Sequence, residues 1–432
     1  MAYKPPSMKI GFWALFALVT GSQIGSGVLM LPANLAPFGW YSLLGWGFSA
    51  IGALALALVF SKMCTWFPKT GGPHVYIHQA FGKDAAFFTG WTYWVVSWVS
   101  TTAVVVASAG YLSPLFGPFS PTQMLGVEAI LLFCVAALNW KGVHAAGSME
   151  KIFTLLKFIP LVILPCIGIF YFNPQNIQIS AAVAEMSGTS IVSRVLLLTL
   201  WGFIGLESGT IAAESVENPT KTIPKAVVFG TLSVAILYLF NSLGVLGAVP
   251  ASALEHSKAP YADMAQSLLG GSWYLMVSLI ASILCLGTLN AWTLASSQIA
   301  LGLAHDQLLP KIFGKTNRNG APYWSLLISA AGILPLLYGT THSSVSEQLA
   351  QIIDFSVVAF LYVYLISCFA FIRLLKIRKE SSIFEYALGT IAVLFCVLAL
   401  SQVGWKTLLL STLFILTGLP IWFFRNRNRM GF

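Results

Sequence analysis

Twelve long apolar stretches, separated by short polar or Pro/Gly-containing breaks, take up most of the 432 residues. Crossing the hydrocarbon core of a bilayer takes about 20 apolar residues as a helix. A membrane barrel would instead alternate polar and apolar residues in stretches of about 10. The runs here are long and unalternating, so the expectation is an all-α membrane protein with twelve transmembrane helices. They fall near 11–35, 40–64, 84–112, 122–140, 150–172, 190–213, 224–249, 271–304, 322–340, 348–375, 383–402 and 405–425. No connection is long enough to separate two domains, so residues 1–432 read as one membrane domain. Composition agrees: 57% of residues are hydrophobic and only 9% charged, where a soluble domain carries about 25% charged residues to keep its surface wetted. A soluble enzyme, a nucleic-acid binder and a disordered scaffold are excluded on that ground.

Basic residues set the expected orientation. An even number of spans puts both termini on one side, and Lys and Arg collect on the cytoplasmic side. Of the 23 Lys and Arg, 19 fall on the side of Lys4 and Lys9; Arg194, Lys258 and Lys406 fall opposite and Lys157 lies within a span. Both termini are therefore expected to be cytoplasmic. The net charge of +9 follows from that asymmetry, and Arg425, Arg427 and Arg429 read as snorkelling anchors. The six cysteines show no CxxC or Cys/His spacing, so no zinc site, disulfide framework or other metal site is indicated. The first apolar run carries on past Leu31 without a small-residue cleavage site and reads as a span, not a removable signal.

Ionisable groups within spans are costly and need a reason. Four stand out: Glu128, Lys157, Glu207 and Asp354. Glu128 and Asp354 lie within about two turns of an outer end, where headgroup anchoring is the expected role. Lys157 and Glu207 lie deeper, and each reads as a snorkelling group, a mutual ion pair or a functional residue.

Glycines indicate where a helix can open. The first span contains Gly21-Ser22-Gln23-Ile24-Gly25-Ser26-Gly27 followed by Pro32, and the sixth has Gly202, Gly205 and Gly209 around Glu207. Three glycines in seven residues make a poor helix interior. An unwound backbone exposes N–H groups, and the half-helix that follows aims its positive end at the gap, which favours a carboxylate. Unwound carbonyls in the partner break accept from an ammonium. One glycine cluster alone would signify close helix packing. Two, five spans apart, point to an inverted-repeat transporter that holds a zwitterion at mid-membrane.

Gly25-Ser26-Gly27-Val-Leu-Met-Leu-Pro32-Ala-Asn34, Trp201-x-x-Ile204-Gly205-x-Glu207-Ser208 and Glu217-Asn218-Pro219 resemble the amino acid/polyamine/organocation superfamily, and within it the basic amino acid/polyamine antiporter family with its arginine/agmatine antiporters. The resemblance runs from about Ile10 to Phe424. It implies spans 1–5 (about 11–172) repeated in inverted sense by spans 6–10 (about 190–375), with spans 11–12 (about 383–425) outside the repeat, and a homodimer as the assembly. It implies that amides around Gly25, Ser26 and Gly27 hold a substrate carboxylate and that carbonyls near Gln23, Trp201 and Ile204 hold its amino group. Trp201 would cover the substrate, and Trp292 would stack on its side chain, which suits a guanidinium. Ser97, Thr101 and Ser356 complete the implied binding set, while Tyr93, Glu207 and Tyr364 correspond to the group that closes the inner path. Ser97, Thr101 and Ser22 depart from the Cys, Asn and Asn of the arginine carriers. Lys157 departs too: it stands where relatives of the fold bind sodium and where proton-coupled permeases carry a Lys.

The resulting expectation is an inner-membrane amino acid transporter with no cofactor. Its most favoured form is an antiporter exchanging an arginine-like cationic amino acid for its decarboxylated amine or another amino acid by alternating access. The alternative is a proton-coupled symporter of neutral or broader substrate range using Lys157. A channel or intramembrane enzyme is a distant third. It would need a polar ring or a His-metal cluster, whereas His74, His78, His144 and His305 fall in cytoplasmic links and His256 and His342 in outer ones.

Overall fold

The computed structural model describes residues 9–117, 119–257, 259–340, 345–379 and 382–427. Lys4, Lys258, His342 and Arg429 lie outside the described residues, as do the side chains of Ser26 and Arg427. Ten helices among the described residues are long and apolar enough to cross a membrane, and two shorter apolar ones, Gly188–Trp201 and Tyr323–Gly339, complete twelve spans.

The first span is broken into Phe12–Gln23 and Ser26–Leu35. The last bond of its first half runs from Ile24 N–H to the Thr20 carbonyl at 2.8 Å. Gly25 then turns out of the helical region, with φ −137° and ψ −147°. The second to fifth spans are Tyr41–Trp66, Lys83–Phe116, Pro121–Trp140 and Val143–Phe170. The sixth begins as Gly188–Trp201 and is interrupted at its glycines, as expected; over the rest of its range to residue 213 it passes into turns and the short 3₁₀ segments Ser208–Thr210 and Ala213–Ser215 in place of a second half-helix. Gly205, at φ +101°, adopts a left-handed conformation that disfavours any residue with a Cβ. Beyond it the backbone bonds to other segments: Gly71 N–H to the Ile211 carbonyl at 2.7 Å, Ile10 N–H to Ser215 at 2.9 Å, and Glu217 N–H to Ile10 at 3.0 Å. These satisfy polar groups that a helix ladder would otherwise pair.

The seventh to eleventh spans are Pro219–Ala248, Trp273–His305, Tyr323–Thr340, Val345–Arg378 and Ile383–Ser401. The twelfth is interrupted at Thr417-Gly418 and resumes as Leu419–Arg427, where Pro420 removes a helical donor. The most apolar window of the first span is 88% buried and that of the twelfth only 11%. Lipid therefore faces the last span, and the broken first span lies at the centre. Arg425 is tied to Asp84 at 2.6 Å and lies over the Phe87 ring.

One of the four ionisable groups departs from the reading of the sequence, and a second loses one of its alternatives. Glu128 does not reach for headgroups: it is 2% exposed and turned inward. It sits on the same buried face as Leu132, Val135 and Asn139, so helical phase overrides its nearness to the outer end. Lys157 does not pair with Glu207; its ion-pair partner is Glu150 at 3.4 Å. Asp354 is exposed, as an interfacial group would be.

Candidate substrate site between the two helix breaks

The two breaks meet. Ser22 Oγ lies 3.0 Å from the Gly205 carbonyl and 2.8 Å from Ser208 Oγ, which ties the end of the first half-helix to the unwound part of the sixth span. A Cβ at Gly205 would stand 2.8 Å from Ser22 Oγ, so the approach itself needs glycine. Because the second half-helix starts at Ser26, its first-turn N–H groups have no intrahelical acceptor and face the gap.

A narrow cavity opens at this junction. Six of the residues expected to bind substrate line it: Gln23, Gly25, Gly27, Trp201, Ile204 and Trp292. Ser22, Ser100, Val104 and Thr288 complete the wall. Trp292 donates its indole N–H to the Ser22 carbonyl at 3.0 Å and packs its ring on Phe360. Tyr238 donates to the Gln23 carbonyl at 2.8 Å. Gln23 Oε1 is buried without a hydrogen-bond partner.

Ser97, Thr101 and Ser356 are placed differently. The Ser97 hydroxyl is turned onto the Trp94 carbonyl of its own helix at 2.6 Å; the third span instead turns Ser100 and Val104 toward the junction. Thr101 lines a second small cavity, for which Trp292 is again a wall. Ser356 is fully buried and lines neither cavity, and its hydroxyl has no partner.

Below the breaks, Tyr93 donates to Glu207 Oε1 at 2.6 Å and Tyr364 to Oε2 at 2.5 Å. Gly205 N–H in turn donates to the Tyr364 hydroxyl at 3.3 Å. Both oxygens of this buried carboxyl are thus engaged, and the third, sixth and tenth spans close around it.

A second polar knot supports the first break from behind. Lys157 is fully buried and donates to the Gly21 carbonyl at 2.8 Å, Thr288 Oγ1 at 3.1 Å and Glu150 at 3.4 Å. Thr288 donates to the Gly21 and Ile24 carbonyls at 3.0 and 2.6 Å. Asn290 donates to the other Glu150 oxygen at 2.7 Å. The sequence reading missed Glu150 because it sits at the edge of an apolar run. Its spacing seven residues before Lys157, two turns along one face, is the signal that could have found it.

Away from the breaks, buried His74 in the link after the second span meets Asp306 at 3.2 Å, just past the eighth. Burial pushes the Asp306 carboxyl up, but the hydrogen bond and charge of His74 outweigh it and hold the group below the usual carboxylate range. Nearby His78 is pushed below its ordinary value by burial, with Asp306 opposing. No cluster of His, Cys, Asp and Glu suited to a metal occurs among the described residues.

Comparison with known proteins matches this arrangement to a family. The amino acid permease family model AA_permease_2 covers residues 10–429. The chain is 30% identical over 430 residues to the cadaverine/lysine antiporter of Escherichia coli K12, spanning 97% of this chain and 95% of that protein. It is 30% identical over 375 residues to the putrescine transporter PotE of the same strain, spanning 86% and 85%. To PotE of Haemophilus influenzae it is 29% identical over 434 residues, spanning 97% of each. With two broken spans meeting at its centre and a match over nearly its whole length, the chain belongs to the amino acid permease family, in the basic amino acid/polyamine antiporter branch of the amino acid/polyamine/organocation superfamily.

Proposed function

We propose that this protein is an antiporter of the inner membrane, with both termini cytoplasmic, that exchanges a cationic amino acid such as arginine or lysine for its decarboxylated amine or another amino acid. The observation that carries the reading is the junction of the two breaks, where Gln23, Gly25 and Gly27 of the first span and Trp201 and Ile204 of the sixth line one cavity, with amides of the Gly25–Gly27 turn read as one pole and unwound carbonyls as the other. That pairing suits an α-carboxylate on one side and an α-ammonium on the other. Trp201 covers the bound head group, and Trp292 offers its ring to a cationic side chain. The cadaverine/lysine and putrescine relatives support a basic substrate.

Alternating access proceeds by rocking around the breaks, with Tyr93, Glu207 and Tyr364 as the inner closure. Proton-coupled uptake through Lys157 is the second reading, favoured by the burial of that ammonium beneath the first break. Its pairing with Glu150 makes it a strut of nearly neutral net charge and favours exchange. Purified protein in liposomes loaded with lysine, arginine, cadaverine or agmatine should take up labelled arginine or lysine far faster than unloaded vesicles. Uptake indifferent to the internal substrate removes the exchange mechanism, and uptake driven by a pH gradient in wild type but not in folded Lys157→Met/Glu150→Gln, in which no charge is stranded, supports the second reading.

A further inference from the structure

The third, tenth and twelfth spans enclose a groove of about 330 Å³, against about 20 Å³ for the cavity at the helix breaks. Ala85, Phe88 and Thr92 mark one wall, and Val363, Ile366 and Phe369 mark the facing one. No charged side chain lines it. The Thr92 hydroxyl is spent on the Phe88 carbonyl of its own helix at 2.8 Å. Phe369 is exposed, so the groove opens toward lipid. From Ala85 to Thr92 is seven residues of helix, a rise of about 10 Å, or about a third of the hydrocarbon core. A long, narrow, apolar slot that runs with the helices has the shape of an acyl chain, and an unfilled one would deny its walls their packing contacts.

One end of the slot is charged. Arg373 and Lys376 follow Phe369 by four and seven residues, which keeps them on the helix face that forms the wall. The Arg373 guanidinium lies 5.1 Å from the centre of the Phe81 ring. Phe81 comes four residues before Ala85, so this contact sets Arg373 where both walls begin. Both basic side chains are exposed, and the ion pairs among the described residues include neither. Asp84, the acid beside Ala85, is already engaged by Arg425 at 2.6 Å and by the Trp422 N–H at 2.7 Å. Two cations without an acid, at the mouth of an apolar slot, complement a phosphate joined to a hydrocarbon tail.

We infer that this groove is a binding site for an anionic phospholipid, with an acyl chain between the third and tenth spans and the phosphate on Arg373 and Lys376. A zwitterionic lipid brings its own cation to the same place and fits it less well. Thr92 and Val363 each precede by one residue a tyrosine that holds Glu207, so the bound lipid braces the two spans that carry those tyrosines. The inference is independent of which substrate the helix breaks take.

The test is native mass spectrometry and thermal denaturation of the purified protein in detergent, with phosphatidylglycerol and phosphatidylcholine of identical acyl chains. Wild type should retain phosphatidylglycerol at least about tenfold better, as two basic residues near a head group provide, and should melt higher with it than with phosphatidylcholine. Arg373→Gln/Lys376→Gln, which changes two exposed side chains, should treat the two lipids alike. Lys376→Gln alone, which breaks no contact among the described residues, should lose part of the preference. Ile366→Trp, which fills the slot and leaves the basic pair in place, should retain phosphatidylglycerol less well than wild type. Equal retention of the two lipids by wild type overturns the assignment, as does an undiminished preference in the double variant. Wild-type retention by Ile366→Trp overturns the slot as the seat of the chain. A lipid-free dimer that excludes phosphatidylglycerol would give the groove to a second copy of this chain and end the proposal.

Discussion

Removing Lys157 should cost the fold more than removing Lys157 and the charge of Glu150 together. Both side chains are fully buried, with the ammonium 3.4 Å from the nearer carboxylate oxygen. At an effective dielectric of about 20, that separation corresponds to an attraction of about 5 kcal/mol. Lys157→Met strips it away and leaves Glu150 with Asn290 as its remaining side-chain partner. The expected loss is about 3–5 kcal/mol, the range for breaking a buried pair from one side. In the double variant Lys157→Met/Glu150→Gln, the amide keeps an acceptor for Asn290 and no charge is stranded. It should recover at least about 2 kcal/mol, because buried pairs replaced as a unit lose little. The assay is a double-mutant cycle read as folded fraction by size exclusion after a temperature ladder in detergent. A double variant as unstable as the sum of the two singles would refute the reasoning, since the two side chains would then act independently.

Tyr364→Phe should destabilise more than Tyr93→Phe, because Tyr364 both donates to Glu207 and accepts from Gly205 N–H, while Tyr93 makes one bond to that carboxyl. At about 1–3 kcal/mol per bond to an ionisable group, equal melting shifts would contradict this. Gly25→Ala places a Cβ 2.7 Å from Thr288 Cγ2, and Thr288 is held by three bonds and cannot yield. The expected cost is about 1–3 kcal/mol, and adding Thr288→Ser, which deletes the methyl but leaves the hydroxyl oxygen 2.9 Å from the new Cβ, should recover only part of the lost melting temperature; no recovery would count against the clash. For Asp306→Asn, the depressed native pKa means that the wild-type advantage exists above the ordinary carboxylate value of about 3.9 and disappears as pH falls through the lower native one. The variant should melt lower at pH 7 by about 1 kcal/mol and match wild type near pH 2; an equal gap at both pH values would count against the pairing.

Much of the fold is legible in the sequence because lipid leaves few options. Continuous apolar runs become helices, and clustered glycines at Gly21, Gly25 and Gly27 mark an opening that the coordinates contain. The sixth span shows the limit. Gly202, Gly205 and Gly209 announce an interruption, but whether the chain winds up again afterwards depends on backbone hydrogen bonds with Ile10 and Gly71, which are remote in sequence. Side-chain direction is the other gap. Depth along its span placed Glu128 and resemblance placed Ser97, whereas rotation about the helix axis turns one inward and the other away from the junction. Glu150 was passed over because a run's edge in sequence is not an edge in space.

The unwound part of the sixth span has a mechanical consequence. A coiled rod moves as a body, because bending it breaks its own rungs. Residues 202–216 are held by separate short turns and not by a continuous helix ladder, and their anchorage to the rest of the protein includes Ile10, Gly71, Tyr93 and Tyr364. Swinging this strip aside as a unit requires no helix to melt, only the release of its cross-links to neighbouring spans, worth about 1–3 kcal/mol each. A small ligand's unequal grip on two conformations can offset part of that total. The strip behaves as a fastened hem and not as a beam.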